Sequence, residues 1–267
     1  MHVYELYELI DYLPLWGLYV ATVAIVLLSY EIGFRLERYR RRRSKQEQEN
    51  EPPVGAMVGA TLGLLGFMLA FTFGTAASHF DTRKNLVLDE ANAIGTAYLR
   101  AELLPEPHRT EIRNLLCEYV NVRLEGVQQG KLEQAIHRSE ELHRLLWSKA
   151  VAVVEKHPGL FVAGLFIGSL NEVIDFHAKR IEASLRRRIP GIIWAALYFI
   201  TILAMAAMGY LAGLAGTRRS PVILVVVLTF SAVMWLIADL DRPREGLLKV
   251  SQQAMSDLRN TMIAPVP

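Results

Sequence analysis

The apolar residues of this chain fall into four long runs that contain no charged side chain. The runs are Leu13–Tyr30, Pro52–Ser78, Ile189–Thr217 and Ser220–Ala238, with 18, 27, 29 and 19 residues. A helix needs about 20 mostly apolar residues to cross a bilayer. The pattern therefore predicts four transmembrane helices: TM1 over about 14–34, TM2 over about 53–78, and TM3 and TM4 within 190–239.

The 111 residues between TM2 and TM3, 79–189, show helical spacing and no long apolar run. Ala91, Ile94, Ala97 and Ala101 recur every three or four residues and continue TM2 as one long helix. The pair of prolines at Pro105 and Pro107 ends it. Further helices are predicted over about 106–129, 132–156 and 160–188.

Together these patterns predict an all-α polytopic membrane protein. Its N-terminal membrane part covers 1–78, including an arginine-rich loop at 35–51. A helical extramembrane domain, 79–189, is inserted between TM2 and TM3. A helical C-terminal tail, 240–267, follows TM4.

The distribution of basic residues predicts the orientation. The loop after TM1 holds seven Lys and Arg residues, and the TM3–TM4 turn holds two. Because short basic loops stay in the cytoplasm, both termini and residues 79–189 are expected on the outer side. One basic cluster predicts the opposite orientation, because it lies just before TM3 on the side expected to be external: Arg186, Arg187 and Arg188.

Composition excludes several other classes. The chain has 52% hydrophobic residues, a formal net charge of +2 and one cysteine, Cys117. An internal disulfide and a multi-cysteine metal site are impossible, and no charge excess suggests a nucleic-acid partner. The sequence has no G-x-S-x-G, P-loop, G-x-G-x-x-G, CxxC or HExxH motif, so no enzyme activity, cofactor or metal is expected.

TM2 carries the strongest local pattern, a stripe of small residues at helical spacing. The stripe consists of Gly55, Gly59, Gly63, Gly66, Ala70 and Gly74. Such residues let helices approach closely, either within one subunit or at an interface between subunits around a central axis. In the second case Phe67 and Phe71, four residues apart, would form an apolar constriction that gates by dewetting. In the first they are ordinary core residues.

Two polar clusters and one basic run complete the candidate residues. Asp81, Arg83, Glu90 and Asn92 follow TM2, and Asn171, Glu172, Asp175 and Arg180 precede TM3. They form either structural ion pairs or a charged vestibule that selects ions. The run Arg40, Arg41, Arg42 and Arg43 fixes topology and attracts anionic lipid headgroups.

Several of these segments resemble a bacterial family of bestrophin-like membrane proteins whose function is unknown. The likeness lies in residues 65–73, the Phe80-Asp81-x-Arg83 motif, residues 89–100, the segment from Ser169 to Arg180, and the segment from Asp239 to Gly246. Bestrophins are pentameric anion channels with four spans per subunit, and their second helix lines the pore with apolar neck residues. Their termini are cytosolic, opposite to the orientation that the arginine-rich loop predicts.

The resemblance implies that TM2 lines a pore, with Phe67 and Phe71 nearest to the neck. It also implies a homo-oligomer in the cytoplasmic membrane of a bacterium, conducting an ion that the sequence does not identify. The alternative is a non-conducting sensor or scaffold, whose helical domain binds a partner and whose arginine-rich loop contacts lipid.

Overall fold

The computed structural model describes residues 14–43, 54–216, 222–242 and 246–263, and these residues are helical with no strand among them. Eight α-helices lie within this described part of the chain: α1 (Leu15–Arg43), α2 (Val54–Ala101), α3 (His108–Gln128), α4 (Leu132–Lys156), α5 (Phe161–Ile181), α6 (Gly191–Leu214), α7 (Val222–Asp241) and α8 (Gln253–Ile263). One turn of π-helix, Glu182–Arg186, follows α5.

The chain divides into two compact units. The first contains Met1–Phe80 and Arg188–Lys249, and the second contains Asp81–Arg187 and Val250–Pro267. Helices α1, α6 and α7 belong to the first unit and helices α3, α4, α5 and α8 to the second, while the residues of α2 are divided between them.

Helices α1 and α6 of the first unit touch backbone to backbone, and glycines make this possible. A Cβ placed on Gly33 would lie 1.9 Å from the carbonyl oxygen of Ala206, and one on Gly209 would lie 2.0 Å from that of Tyr30. Gly209 and Gly213 are four residues apart on α6, the spacing at which small residues bring two helices together. The close helix pair of this unit is therefore α1 with α6.

Several polar groups inside the first unit bond to a neighbouring helix or to the chain beside it. The Thr22 and Tyr198 hydroxyls, on α1 and α6, are 2.8 Å apart. At the end of α7, the Asp241 carboxylate accepts a hydrogen bond from the Ile189 backbone N–H at 3.0 Å. The Asp239 carboxylate accepts one from the backbone N–H of Leu247 at 2.7 Å. These last two bonds fix the chain where it enters α6 and where it leaves α7, and unpaired buried groups there would be costly.

The second unit is a helical bundle with its own core. Fully buried side chains from α2, α3, α4 and α5 meet there, including Ile94, Leu116, Leu142 and Phe166. The C-terminal helix α8 adds Met255 and Met262 to this core.

Short turns separate the helices of the second unit where the sequence predicts breaks. Gly130 and Gly159 adopt φ values of +68° and +86°, in the left-handed region that favours glycine. The predicted long helix is confirmed, because α2 runs without a break to Ala101 and stops before Pro105. The three predicted helices that follow correspond to α3, α4 and α5 with its π-helical turn.

The predicted boundaries differ from the structure at two places. Arg35–Arg43 is the last part of α1 and not a loop, because arginine is a good helix former and its charge is favourable at a helix C-terminus. Of the predicted tail, the described helical residues are the last two of α7 and Gln253–Ile263. The N-terminal flank, the rest of the arginine-rich segment, and the TM3–TM4 turn with Arg218 and Arg219 lie outside the described residues.

By length and composition, five helices in the described part of the chain could cross a membrane, one more than the sequence predicts. Four of them are Leu15–Arg43, Val54–Ala101, Gly191–Leu214 and Val222–Asp241. The fifth is Phe161–Leu185, which comprises α5 and most of the π-helical turn.

Replacing Gly209 by alanine tests the close contact between α1 and α6. We expect Gly209→Ala to lower the thermal unfolding midpoint in detergent, because overpacking a tight contact costs about 1–3 kcal/mol. Gly168→Ala is the control, since a Cβ at Gly168 meets no atom within 4 Å. A Gly209→Ala protein that unfolds at the wild-type temperature would contradict the backbone contact.

Candidate functional site

One face of α2 is buried in the first unit, and the rest of this part of the helix is uncovered. The buried stripe consists of Val58, Leu65, Leu69, Thr72 and Ala76. These positions recur at intervals of three, four and seven residues and so lie on one side of the helix. In the apolar 18-residue segment of α2, only 17% of the residues are buried, against 33% in the corresponding segments of α6 and α7. Among the described residues, nothing in this chain covers the other side.

The two phenylalanines predicted to line a neck lie on the uncovered side. Phe67 is 67% exposed and Phe71 is 65% exposed. Their spacing of four residues places them one above the other along the helix. Neither ring is a core residue of the single chain. Phe73, which is less exposed at 37%, lies away from this pair.

The glycine stripe of α2 is also uncovered within one chain. A Cβ built on Gly55, Gly59, Gly63, Gly66 or Gly74 would meet no atom within 4 Å beyond the helix itself and its neighbours. Ala70, the other member of the stripe, is exposed. Packing of this stripe against TM1, TM3 or TM4 of the same subunit, the first alternative from the sequence, is therefore not observed in the described part of the chain.

The hydroxyl groups of α2 contribute little polar surface. Thr61 donates its hydroxyl hydrogen to the Met57 carbonyl oxygen at 2.9 Å, and Thr75 donates to the Phe71 carbonyl oxygen at 3.1 Å. Hydroxyls that bond back to their own helix present mostly a methyl group to the surroundings. The uncovered face of α2 is therefore strongly apolar around Phe67 and Phe71.

A second concentration of functional groups lies inside the second unit, around the carboxylate of Glu90. Glu90 is 0% exposed and pairs with Arg180, which donates to its Oε2. Arg123 Nε lies 3.5 Å from Oε1, and the Tyr119 hydroxyl donates to the same oxygen at 2.5 Å. One carboxylate thus joins α2, α3 and α5. The two guanidinium groups and the Tyr119 hydroxyl offset the cost of burying this charge.

Two histidines extend this buried polar cluster. Nδ1 of His177 lies 3.1 Å from the Tyr119 hydroxyl oxygen, whose single proton is donated to Glu90. His177 Nδ1 must then carry a hydrogen to make this bond. The His143 ring lies 4.9 Å from the His177 ring and 4.8 Å from the Tyr119 ring, between centroids.

The environment of the cluster favours uncharged rings. Burial, aided by the positive charge of Arg123, lowers the pKa of His143 to about 4. Burial, and next the charge of Glu90, raise the pKa of Tyr119 well above its ordinary value. The cluster at neutral pH therefore holds one carboxylate, two guanidinium groups and neutral rings of Tyr119 and His143.

The structure brings together only part of the polar set predicted from the sequence. Glu90 and Arg180 are in contact, and Arg83 is buried elsewhere in the second unit. Asn171 donates to Asp175 at 3.4 Å on the surface of α5. The exposed members that do not join the buried cluster are Asp81, Asn92, Asn171, Glu172 and Asp175.

Sequence reasoning did not assign Tyr119, Arg123 or His143 to this cluster. Tyr119 and Arg123 are four residues apart on α3. This spacing places them on one helix face and could have indicated that they act together. His143 lies far away in sequence, on α4, so only the packing of the helices reveals its place. His177 was visible next to Arg180 but without a partner.

The basic run lies at the exposed C-terminal end of α1. Arg40 donates from Nη1 to the Tyr210 hydroxyl of α6 at 3.0 Å. The Arg43 guanidinium lies 5.0 Å from the centroid of the Tyr39 ring. Arg41 and Arg42 are exposed and border a cavity.

Protonation of His143 makes the stability of the second unit depend on pH. Its folded pKa of about 4 is below the unfolded value near 6.5. The unfolded chain therefore binds more protons between these values, and stability falls as the pH is lowered from 6.5 towards 4. By linkage, the protonation of His143 alone lowers the free energy of unfolding by about 2 kcal/mol at a pH of about 5.

Thermal unfolding followed from about pH 8 to pH 5 measures this dependence. We expect His143→Phe, which keeps a ring of similar shape, to reduce the loss of stability at low pH. His137→Gln is the matched control, since His137 is exposed on the same helix. An identical pH profile for wild type and His143→Phe would contradict the assignment.

Comparison with known proteins identifies the fold. The model of the Bestrophin-like domain matches residues 20–255. Two mutant structures of a bacterial bestrophin homolog from Klebsiella pneumoniae share the fold. One has a TM-score of 0.66 at 14% identity, covering 92% of this chain and 97% of that chain. The other has a TM-score of 0.63 at 15% identity, covering 90% and 97%.

A third similar structure is that of a membrane protein, with a TM-score of 0.63 at 14% identity, covering 92% of this chain and 96% of that chain. Among curated proteins, none matches this sequence. Because the family model extends over most of the chain, this all-helical membrane protein belongs to the Bestrophin-like family.

Proposed function

We propose that this protein is an oligomeric ion channel whose pore is lined by α2. One observation carries the proposal: the side of α2 that bears Phe67 and Phe71 is uncovered in the single chain, while the opposite stripe is buried. An apolar helix face must be covered by lipid or by another helix. Membership of the Bestrophin-like family, in which bestrophins are oligomeric anion channels, favours cover by other copies of this chain.

The glycine stripe supports an arrangement of several copies around an axis. Gly59, Gly63 and Gly66 lie beside the phenylalanine pair on the uncovered side of α2. If this stripe packs against a neighbouring subunit, Phe67 and Phe71 turn towards the axis. Rings from several subunits would then form a narrow apolar constriction, which excludes water when closed. Anion selectivity follows from the family and not from a residue of the pore.

We further propose that α1, the first part of α2, α6 and α7 are the four spans. Helix α5 carries Asn171, Glu172 and Asp175 on its exposed surface, and these would be costly in the hydrocarbon core. In this arrangement Arg40–Arg43 face the cytoplasm, and both termini and residues 79–189 lie on the other side of a bacterial cytoplasmic membrane.

The apolar character of α2 also supports a second function, a non-conducting membrane sensor or scaffold. The hydroxyls of Thr61 and Thr75 donate hydrogen bonds to carbonyl groups of their own helix, so no continuous polar path follows α2. A scaffold would form the same oligomer through the glycine stripe but would pass no ions. Its helical unit would bind a partner instead.

Ion flux through liposomes containing the purified protein distinguishes the two functions. We expect Phe71→Ala to increase anion flux, because a smaller side chain widens the constriction and lowers the barrier to hydration. Phe199→Ala is the matched control: Phe199 is 62% exposed and belongs to α6 instead of α2. It should leave the flux at the wild-type level.

The outcome separates the proposals clearly. Flux that responds to Phe71→Ala and not to Phe199→Ala supports the channel. Absence of flux from wild type and from both Phe67→Ala and Phe71→Ala, in protein that keeps its oligomeric mass, would contradict the channel and favour the scaffold.

A further inference from the structure

A cavity of about 330 Å³ lies where α1 and α6 end in the first unit. Three of its lining residues are arginines of α1, and α6 contributes Gly213 and the following Gly216. The remaining described lining residues are Phe34 and Glu37. Both helices are long and apolar enough to cross a membrane. The cavity therefore lies at the level where a span meets the headgroup layer.

The cavity contains a buried carboxylate without a hydrogen-bond donor. Glu37 is 3% exposed, and its Oε2 has no hydrogen-bond partner among the described residues. The other acidic residue of α1, Glu31, forms its ion pair with Arg35. Leaving a buried charged group unpaired costs more than leaving a neutral one unpaired. Among the described residues no donor reaches this oxygen, which leaves it available to a ligand that carries N–H groups.

Gly213 makes room for this carboxylate. A Cβ on Gly213 would lie 2.8 Å from Glu37 Oε2 and 2.9 Å from Glu37 Cβ. Any other residue at position 213 would push the carboxylate away from the wall of α6. The absence of a side chain at Gly213 keeps the acidic group inside the cavity.

The arginines of the same cavity suit a phosphate. The Arg38 guanidinium lies 5.2 Å from the centroid of the Phe34 ring, which holds its plane without using its N–H donors. Arg41 and Arg42 are exposed at the rim. Guanidinium groups bind phosphate oxygens through parallel N–H bonds. The cavity therefore offers cationic groups for an anion and a carboxylate for a cation.

We propose that this cavity binds the headgroup of a phosphoethanolamine lipid. The primary ammonium donates hydrogen bonds to the Glu37 carboxylate, and the phosphate accepts them from Arg38, Arg41 and Arg42. A quaternary ammonium, as in a choline headgroup, has no N–H to donate and leaves Glu37 Oε2 unsatisfied. The cavity consequently distinguishes the two zwitterionic headgroups by hydrogen bonding and not by charge.

Binding of short-chain lipids to the full protein in detergent tests the proposal. Dihexanoyl phosphatidylethanolamine and dihexanoyl phosphatidylcholine have the same acyl chains and the same net charge. We expect the ethanolamine lipid to bind at least about tenfold more tightly. Glu37→Gln, which keeps the side-chain size and removes the charge, should abolish the preference. Glu31→Gln is the control, because Glu31 pairs with Arg35 on the same helix.

Two further comparisons fix the chemistry and the source of the ligand. The double variant Arg41→Gln/Arg42→Gln should weaken the binding of both lipids to a similar degree and keep the preference for the ethanolamine lipid. Soluble phosphoethanolamine and inorganic phosphate should bind more weakly than the lipid. Equal binding of the two lipids to wild type, a preference that survives Glu37→Gln, or soluble phosphoethanolamine binding as tightly as the lipid would each overturn the proposal.

Discussion

The buried stripe of α2 determines which side chains the helix leaves uncovered. Val58, Leu65, Leu69 and Ala76 pack inside the first unit, and their packing fixes the rotation of α2 about its own axis. With this rotation fixed, Phe67 and Phe71 must face away from the other helices of the same chain. A different register would bury the phenylalanines and remove the physical basis for a pore. The functional proposal therefore depends on this stripe more than on any polar residue.

Helical architecture could be predicted because local patterns determine it, whereas the packing of small residues could not. Apolar spacing and the breaks at Pro105, Gly130 and Gly159 give the helices and their approximate ends. The long glycine pattern of α2 predicted a close contact either within the subunit or between subunits, and within the single chain the backbones meet instead at Gly33 and Gly209. A pattern of small residues permits close approach, but only the neighbouring helix decides whether approach occurs.

The buried polar cluster shows the same division. Glu90 and Arg180 could be proposed as partners from their charges and their positions beside TM2 and TM3. Tyr119, Arg123 and His143 join them only through the three-dimensional packing of α3 and α4. Glu90 is fully buried and paired with Arg180 inside the second unit, so its carboxylate is not exposed in the single chain.

The central claim is that other copies of this chain cover the uncovered side of α2. The mass of the detergent-solubilised protein, measured by light scattering and corrected for bound detergent, tests it most directly. A closed ring of four or more chains is the result that the account predicts, since only such a ring surrounds an axis with α2. A monomer or a dimer would leave α2 no axis to surround and would contradict the account.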